Sequence, residues 1–207
     1  MDLPTLIDQC VPVAYQERMA RIIQVESSRN PYAIGVVGGR LERQPKTLGE
    51  AVATAKFLKS TGWNFSLGYA QVNLHNLARY SLDLTTVFDG CKNLQAGAAI
   101  LAECDKRATR IYSDSGRAQD AAHSCYYSGN FSRGFKPDQP GGTSYVQRVA
   151  AAASGDHKNS QAIRVIPQKP AQDSKRDKAK AKERTTEPVT AEQKPRTARK
   201  WDVFGDF

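Results

Sequence analysis

The chain has 207 residues, a formal net charge of +9 and 40% hydrophobic residues, enough for one ordinary domain with additional polar sequence, which excludes a collagen-like or wholly disordered chain. No apolar run approaches the roughly 18 residues that a membrane-spanning helix needs, so an integral membrane protein is not expected. The charge is uneven: residues 1–155 carry about +4 and residues 156–207 about +5 in a quarter of the length, where bulky apolar residues almost vanish until Trp201.

Asp2-Leu-Pro-Thr reads as a helix start, with Pro4 in the first turn. After a turn at Val11-Pro12 a stronger helix is expected from about Ala14 to Ser28, stopped by Asn30-Pro31 because the residue before proline is pushed out of helical geometry. Gly35-Val-Val-Gly-Gly-Arg is a turn region with at most a minor hairpin over Val36 to Leu41; it lacks the Gly-Lys-Ser/Thr ending of a phosphate-binding loop. Thr47 to Thr61 reads as a helix with Gly62 as its stop. Trp63 to Asn73 reads as extended or loop, with Trp63 and Phe65 expected in the core, and Leu74 to Tyr80 as a short helix. Further helices are expected over Asp89 to Ile111, Ala118 to Tyr127 (ended by Ser128-Gly-Asn) and Tyr145 to Ala153. The fold class is therefore mainly α. Residues 1–155 form the expected globular domain, 156–200 a disordered basic linker, and 201–207 (Trp-Asp-Val-Phe-Gly-Asp-Phe) a candidate aromatic docking motif.

Four cysteines, Cys10, Cys91, Cys104 and Cys125, form no CxxC pair, and His75, His123 and His157 match no zinc spacing, so no metal is expected. The even count fits two disulfides, with three connectivities open; four reduced, buried thiols are the alternative. Met1-Asp2-Leu3 opens no charged-then-apolar signal segment.

Glu26 is the most informative residue. Met19, Ile22, Ile23 and Glu26 stand at i, i+3, i+4 and i+7, so a carboxyl continues an apolar stripe at the C-terminal end of its helix. The negative end of the helix and apolar neighbours both disfavour its ionised form, which raises the pKa toward the range a general acid needs near neutral pH. The structural alternative is an ion pair with Arg29 or Arg21 at the edge of the stripe.

Val25-Glu-Ser-Ser-Arg-Asn-Pro-Tyr-Ala-Ile-Gly resembles the Glu-Ser-x-x-Asn-Pro segment of the soluble lytic transglycosylases, enzymes with a lysozyme-like fold. Gly68-Tyr-Ala-Gln-Val-Asn, Asn93-Leu-Gln-Ala-Gly-Ala-Ala-Ile-Leu, Ser124-Cys-Tyr-Tyr-Ser-Gly-Asn and Tyr145-Val-Gln-Arg-Val resemble that family's later motifs, in the same order. The Asn-Pro-Tyr-Ala-Ile-Gly form and the long polar tail resemble the VirB1-like branch, associated with type IV secretion and conjugation. Two departures stand out: Ala70 where Met or Gly is usual, and Tyr127 where Asn commonly follows the motif's tyrosine.

The resemblance implies a periplasmic peptidoglycan lytic transglycosylase that cleaves the β-1,4 bond from N-acetylmuramic acid to N-acetylglucosamine, leaves 1,6-anhydro ends and uses no cofactor. Glu26 would be its acid and base, with Ser27, Tyr69, Gln71, Asn73 and Tyr126 as substrate-binding candidates. Three of these have a structural alternative: Ser27 bonding its own helix, Gln71 holding a loop, and Tyr126 packing in the core with a satisfied hydroxyl. Asn30 is read as a turn or cap residue. Ordinary glycosidases flank the bond with two carboxylates; here the motifs supply one acid, and Asp83 and Asp89 cannot be placed beside it from sequence. A lysozyme-type hydrolase and a non-catalytic wall-binding assembly factor are the alternatives. The expected partners are glycan strands and, through the tail, secretion-system components. The tail reads first as a solvated linker, then as an attachment to acidic polymers or lipid surfaces. Nucleic-acid binding ranks last because aromatics are not interleaved with its charges.

Overall fold

A computed structural model describes residues 1–152 of the chain. Its six helices are α1 (Leu3–Cys10), α2 (Val13–Ser27), α3 (Leu48–Ser60), α4 (Gly90–Ala108), α5 (Ser115–Ser128) and α6 (Tyr145–Ala151). Most start on a side chain that caps the orphan backbone N–H groups of the first turn. Asp2, Thr47, Asp89 and Asp114 each accept from the residue three positions on, and Ser144 with Gln147 forms a capping box on α6. The cap at Asp114 starts α5 one turn before the expected Ala118. Helix α5 ends on Gly129 in the left-handed conformation (φ 76°), where glycine has no Cβ penalty.

Three short strands, β1 (Ile34–Val36), β2 (Phe65–Leu67) and β3 (Val72–Asn73), form an antiparallel sheet in the order β1-β2-β3. Ile34 pairs with Leu67 and Val36 with Phe65. This corrects the expected hairpin over Val36 to Leu41: the partner of β1 is β2, which begins at Phe65 and is reached through α3. Leu74 to Tyr80 is two consecutive 3-10 turns rather than an α-helix. Trp63 is also corrected. It is 42% exposed and lies against Gly39, whereas Phe65 is fully buried as expected.

The core gathers the buried faces of α2, α4 and α5 with β2 and α6; Met19, Ile22, Ile23, Leu94, Leu101 and Val149 are fully buried in it. Two disulfides fasten it. Cys10–Cys91 ties α1 to the start of α4, and Cys104–Cys125 ties α4 to α5, which settles the connectivity. Arg18 of α2 adds a polar clamp, pairing with Asp105 of α4 at 2.6 Å and donating through Nε to His123 Nε2 of α5 at 3.2 Å. No helix among the described residues is long and apolar enough to cross a membrane. The linker over 156–200, His157 and the aromatic segment 201–207 lie outside the described residues.

Candidate active site

The stripe on α2 forms as its spacing requires: Met19, Ile22 and Ile23 are buried, and Glu26, next along the same face, is half-buried. Ser28 and Arg29 follow in left-handed conformations (φ 49° and 65°), so the helix breaks off directly after the carboxyl. Non-glycine residues rarely adopt that geometry, and it concentrates at functional sites.

Burial pushes the Glu26 carboxyl up to about 7, against a Tyr145 hydrogen bond and the Arg148 charge, which both favour the ionised form. Tyr145 donates its hydroxyl to Glu26 Oε1 at 2.6 Å from a ring that is 2% exposed. Arg21, one alternative ion-pair partner for Glu26, instead pairs with Glu17. The Tyr145 contact joins positions 119 residues apart. Sequence reasoning marked Tyr145 only as the head of a closing motif and gave it no role.

The Gly68–Asn73 loop is held against this face by α4 and α5. Asn93 donates through Nδ2 to the Leu67 and Val87 carbonyls (3.0 and 2.9 Å) and accepts the Ala70 N–H at 2.7 Å. Gly68 is left-handed (φ 77°), and a Cβ there would run into the Asn93 side chain. Gly97 admits Ala70: an added Cβ would lie 2.5 Å from the Ala70 Cβ and 3.1 Å from the Tyr126 hydroxyl. Tyr126 donates that hydroxyl to the Ala70 carbonyl at 2.7 Å. Burial, and then the negative charge on ionised Glu26, holds the Tyr126 phenol well above the ordinary value.

The other candidate residues are spread around this frame. Gln71 (φ 48°) spends both amide hydrogens on the Ala33 and Gly68 carbonyls, at 3.1 and 2.9 Å, and its Oε1 closes on Gly35. Ser27 donates to the Ile23 carbonyl of its own helix at 3.0 Å. Asn73 donates to Asn64 Oδ1 at 2.9 Å and accepts the His75 N–H, which places it at the sheet end of the loop. Tyr69 is partly buried beside Gly90. Asn30 accepts the Tyr32 N–H in the turn after α2. Asp83 accepts the N–H groups of Thr85 and Thr86, and Asp89 caps α4, so both acids serve local backbone. A cavity of about 430 Å³ lies elsewhere, between α3 and residues 74–85; Asp83 lines it, and none of Glu26, Ser27, Tyr69, Gln71, Asn73 and Tyr126 does.

Tyr127, the departure from the family pattern, stacks on the Tyr145 ring with centroids 4.6 Å apart and an interplanar angle of 15°. Its hydroxyl donates to Asp138 at 2.6 Å.

The architecture is a mainly helical, lysozyme-like domain that presents one protected carboxyl at the end of a core helix. Residues 13–134 match the Transglycosylase SLT domain family, and the chain belongs to that family. It is 54% identical over 149 residues to the type IV secretion system protein virB1 of Brucella abortus biovar 1 (strain 9-941), and equally to those of Brucella melitensis biotype 1 and Brucella suis biovar 1. That match covers 72% of this chain and 62% of each relative's length. No solved structure matched significantly.

Proposed function

We propose that the chain is a periplasmic peptidoglycan lytic transglycosylase that opens the wall locally for a type IV secretion or conjugation apparatus, with Glu26 as its proton-transfer group. The observation that carries this reading is the half-buried Glu26 carboxyl, raised to about 7 and oriented by Tyr145. A group with that pKa is populated in both protonation states near neutral pH, as one residue serving as acid and then base must be.

Glu26 in its protonated form gives its proton to the glycosidic oxygen, and the bond from the muramic acid C1 to that oxygen breaks. N-acetylglucosamine leaves with a hydroxyl, and C1 acquires oxocarbenium character. The Glu26 carboxylate then takes the proton of the muramic acid C6 hydroxyl as that oxygen bonds to C1, and the 1,6-anhydro ring closes. No water is consumed, and the carboxyl ends protonated as it began. The Tyr145 hydrogen bond supports the carboxylate between the two transfers.

Gln71 and Ser27 enter this reading through the shape they maintain. Gln71 fixes the loop by its amide and keeps an acceptor oxygen, while Ser27 keeps lone pairs for a sugar donor. Tyr69 and Asn73 are proposed as lining, and Tyr126 as the tie that holds the Ala70 backbone. The secretion context rests on the names of the Brucella relatives.

Mass spectrometry of muropeptides released from purified sacculi tests the chemistry. Anhydro ends are expected; reducing ends would make the protein a hydrolase. Binding without release would make it a wall-binding assembly factor.

A further inference from the structure

Glu26 and Tyr145 stand at one end of a contact network whose further members the proposed reaction does not use. Tyr145 stacks on Tyr127, and Tyr127 donates to Asp138 Oδ1. The same carboxylate receives Arg133 Nη2 at 2.6 Å on Oδ1 and Arg148 Nη2 at 3.3 Å on Oδ2. Arg148 follows Tyr145 by three positions on α6, and its guanidinium lies over the Tyr145 ring, 5.7 Å from the centroid. From there its charge already reaches Glu26. The ionisable groups acting on the Glu26 carboxyl thus come from α6 (Tyr145 and Arg148), while Glu26 in turn acts on Tyr126 of α5.

A guanidinium in that position is a hazard to a proton donor. An arginine side chain is long and permanently charged, and its fork matches a carboxylate. Closing on Glu26, it would hold that group as a carboxylate and remove the acid. Asp138 offers the competing carboxylate and draws Arg148 the other way. With Oδ1 engaged by both Tyr127 and Arg133, Asp138 is fixed where only Oδ2 remains for Arg148.

We propose that Asp138 is a positioning residue that tethers Arg148 away from Glu26, and that the Tyr127 hydroxyl fixes Asp138 for that task; this rests on Glu26 being the proton-transfer group. The Asp138 and Arg148 side chains are each 41% exposed, so their ion pair contributes little to stability. Its effect is on where one cation sits relative to one acid.

The test is the pH dependence of turnover on purified sacculi by the full chain. In Asp138→Ala the alkaline limb is expected to move down by about one unit, as for a carboxyl that gains a neighbouring arginine. Turnover near pH 7 then falls about fivefold, and it recovers to near the wild-type rate at about pH 5.5. Adding Arg148→Gln to Asp138→Ala returns the limb to the wild-type position or above it. Tyr127→Phe, which keeps the ring stack, moves the limb the same way by less. Asp138→Asn, which keeps the shape and loses the charge, reproduces the shift if Asp138→Ala fails to fold by circular dichroism. A limb that stays in place in both Asp138 variants, or a rate lowered equally at every pH, overturns the proposal while the role of Glu26 stands. Full turnover by Glu26→Gln, or a wild-type profile with no alkaline limb, overturns the underlying reading instead.

Discussion

Two opposing influences act on Glu26, and the pKa shows which prevails. Burial raises the carboxyl to about 7 although Tyr145 and Arg148 both pull it down. The acid form should therefore be lost as pH rises through about 7, and turnover should fall there. Tyr145→Phe removes the donor that favours the carboxylate, so the alkaline limb should move up by about one unit, opposite in sign to Asp138→Ala; a pH-rate profile checks this. The same shift links to stability. A carboxyl whose pKa is raised on folding contributes most below its unfolded value of 4.5, and that contribution is lost as pH rises through about 7. Glu26→Gln should thus gain stability over wild type on the order of 3 kcal/mol between pH 4.5 and 8, read by urea unfolding at both pH values. The carboxyl was legible in the sequence because an i+7 continuation of an apolar stripe is a local pattern. Tyr145, Asp138 and Arg148 were not, because their contacts join segments more than a hundred residues from Glu26 or depend on how one side chain bends.

Helices were legible as elements because caps and 3.6-residue spacing are written locally, and α5 was cut short only where the Asp114 cap went unread. The strands were not, since elements of two or three residues show no alternation to read. What joins the elements is tight packing at the motif glycines. Gly97→Ala tests this: alanine normally favours a helix interior by about 0.5–1 kcal/mol over glycine. Here its Cβ would meet Ala70 at 2.5 Å, and overpacking of that kind costs about 1–3 kcal/mol. The net effect should be destabilising, with turnover reduced because the Ala70 backbone and Tyr126 must shift; thermal unfolding with an activity assay checks both. The α2–α4–α5 clamp has its own pH signature. Burial, aided by the Arg18 and Arg21 charges, pushes His123 down to about 4, so its neutral ring stabilises the fold fully above 6.5 and loses that contribution as pH falls through about 4. Relative to His123→Gln, wild type should lose on the order of 2–3 kcal/mol over that window, measured by denaturant unfolding across pH.

At the scale of the molecule, the two disulfides span sequence separations of 81 and 21 residues. By chain entropy the longer loop contributes about 4 kcal/mol and the shorter about 3. Replacing Cys10 and Cys91 by Ser should lower the urea midpoint more than replacing Cys104 and Cys125, and a reductant should lower it in the wild type. Composition alone set residues 1–155 apart from a polar, basic remainder, because bulky apolar residues almost vanish there until Trp201. It could not reveal which cysteines pair. That depends on α4 running beside both α1 and α5, a consequence of packing rather than of spacing. The proposed activity depends on position 26 carrying the proton. Solubilisation of labelled sacculi by Glu26→Gln, shown to be folded by circular dichroism, measures this most directly. A loss of at least about a hundredfold against wild type at pH 6 is predicted, and solubilisation at the wild-type rate would contradict it.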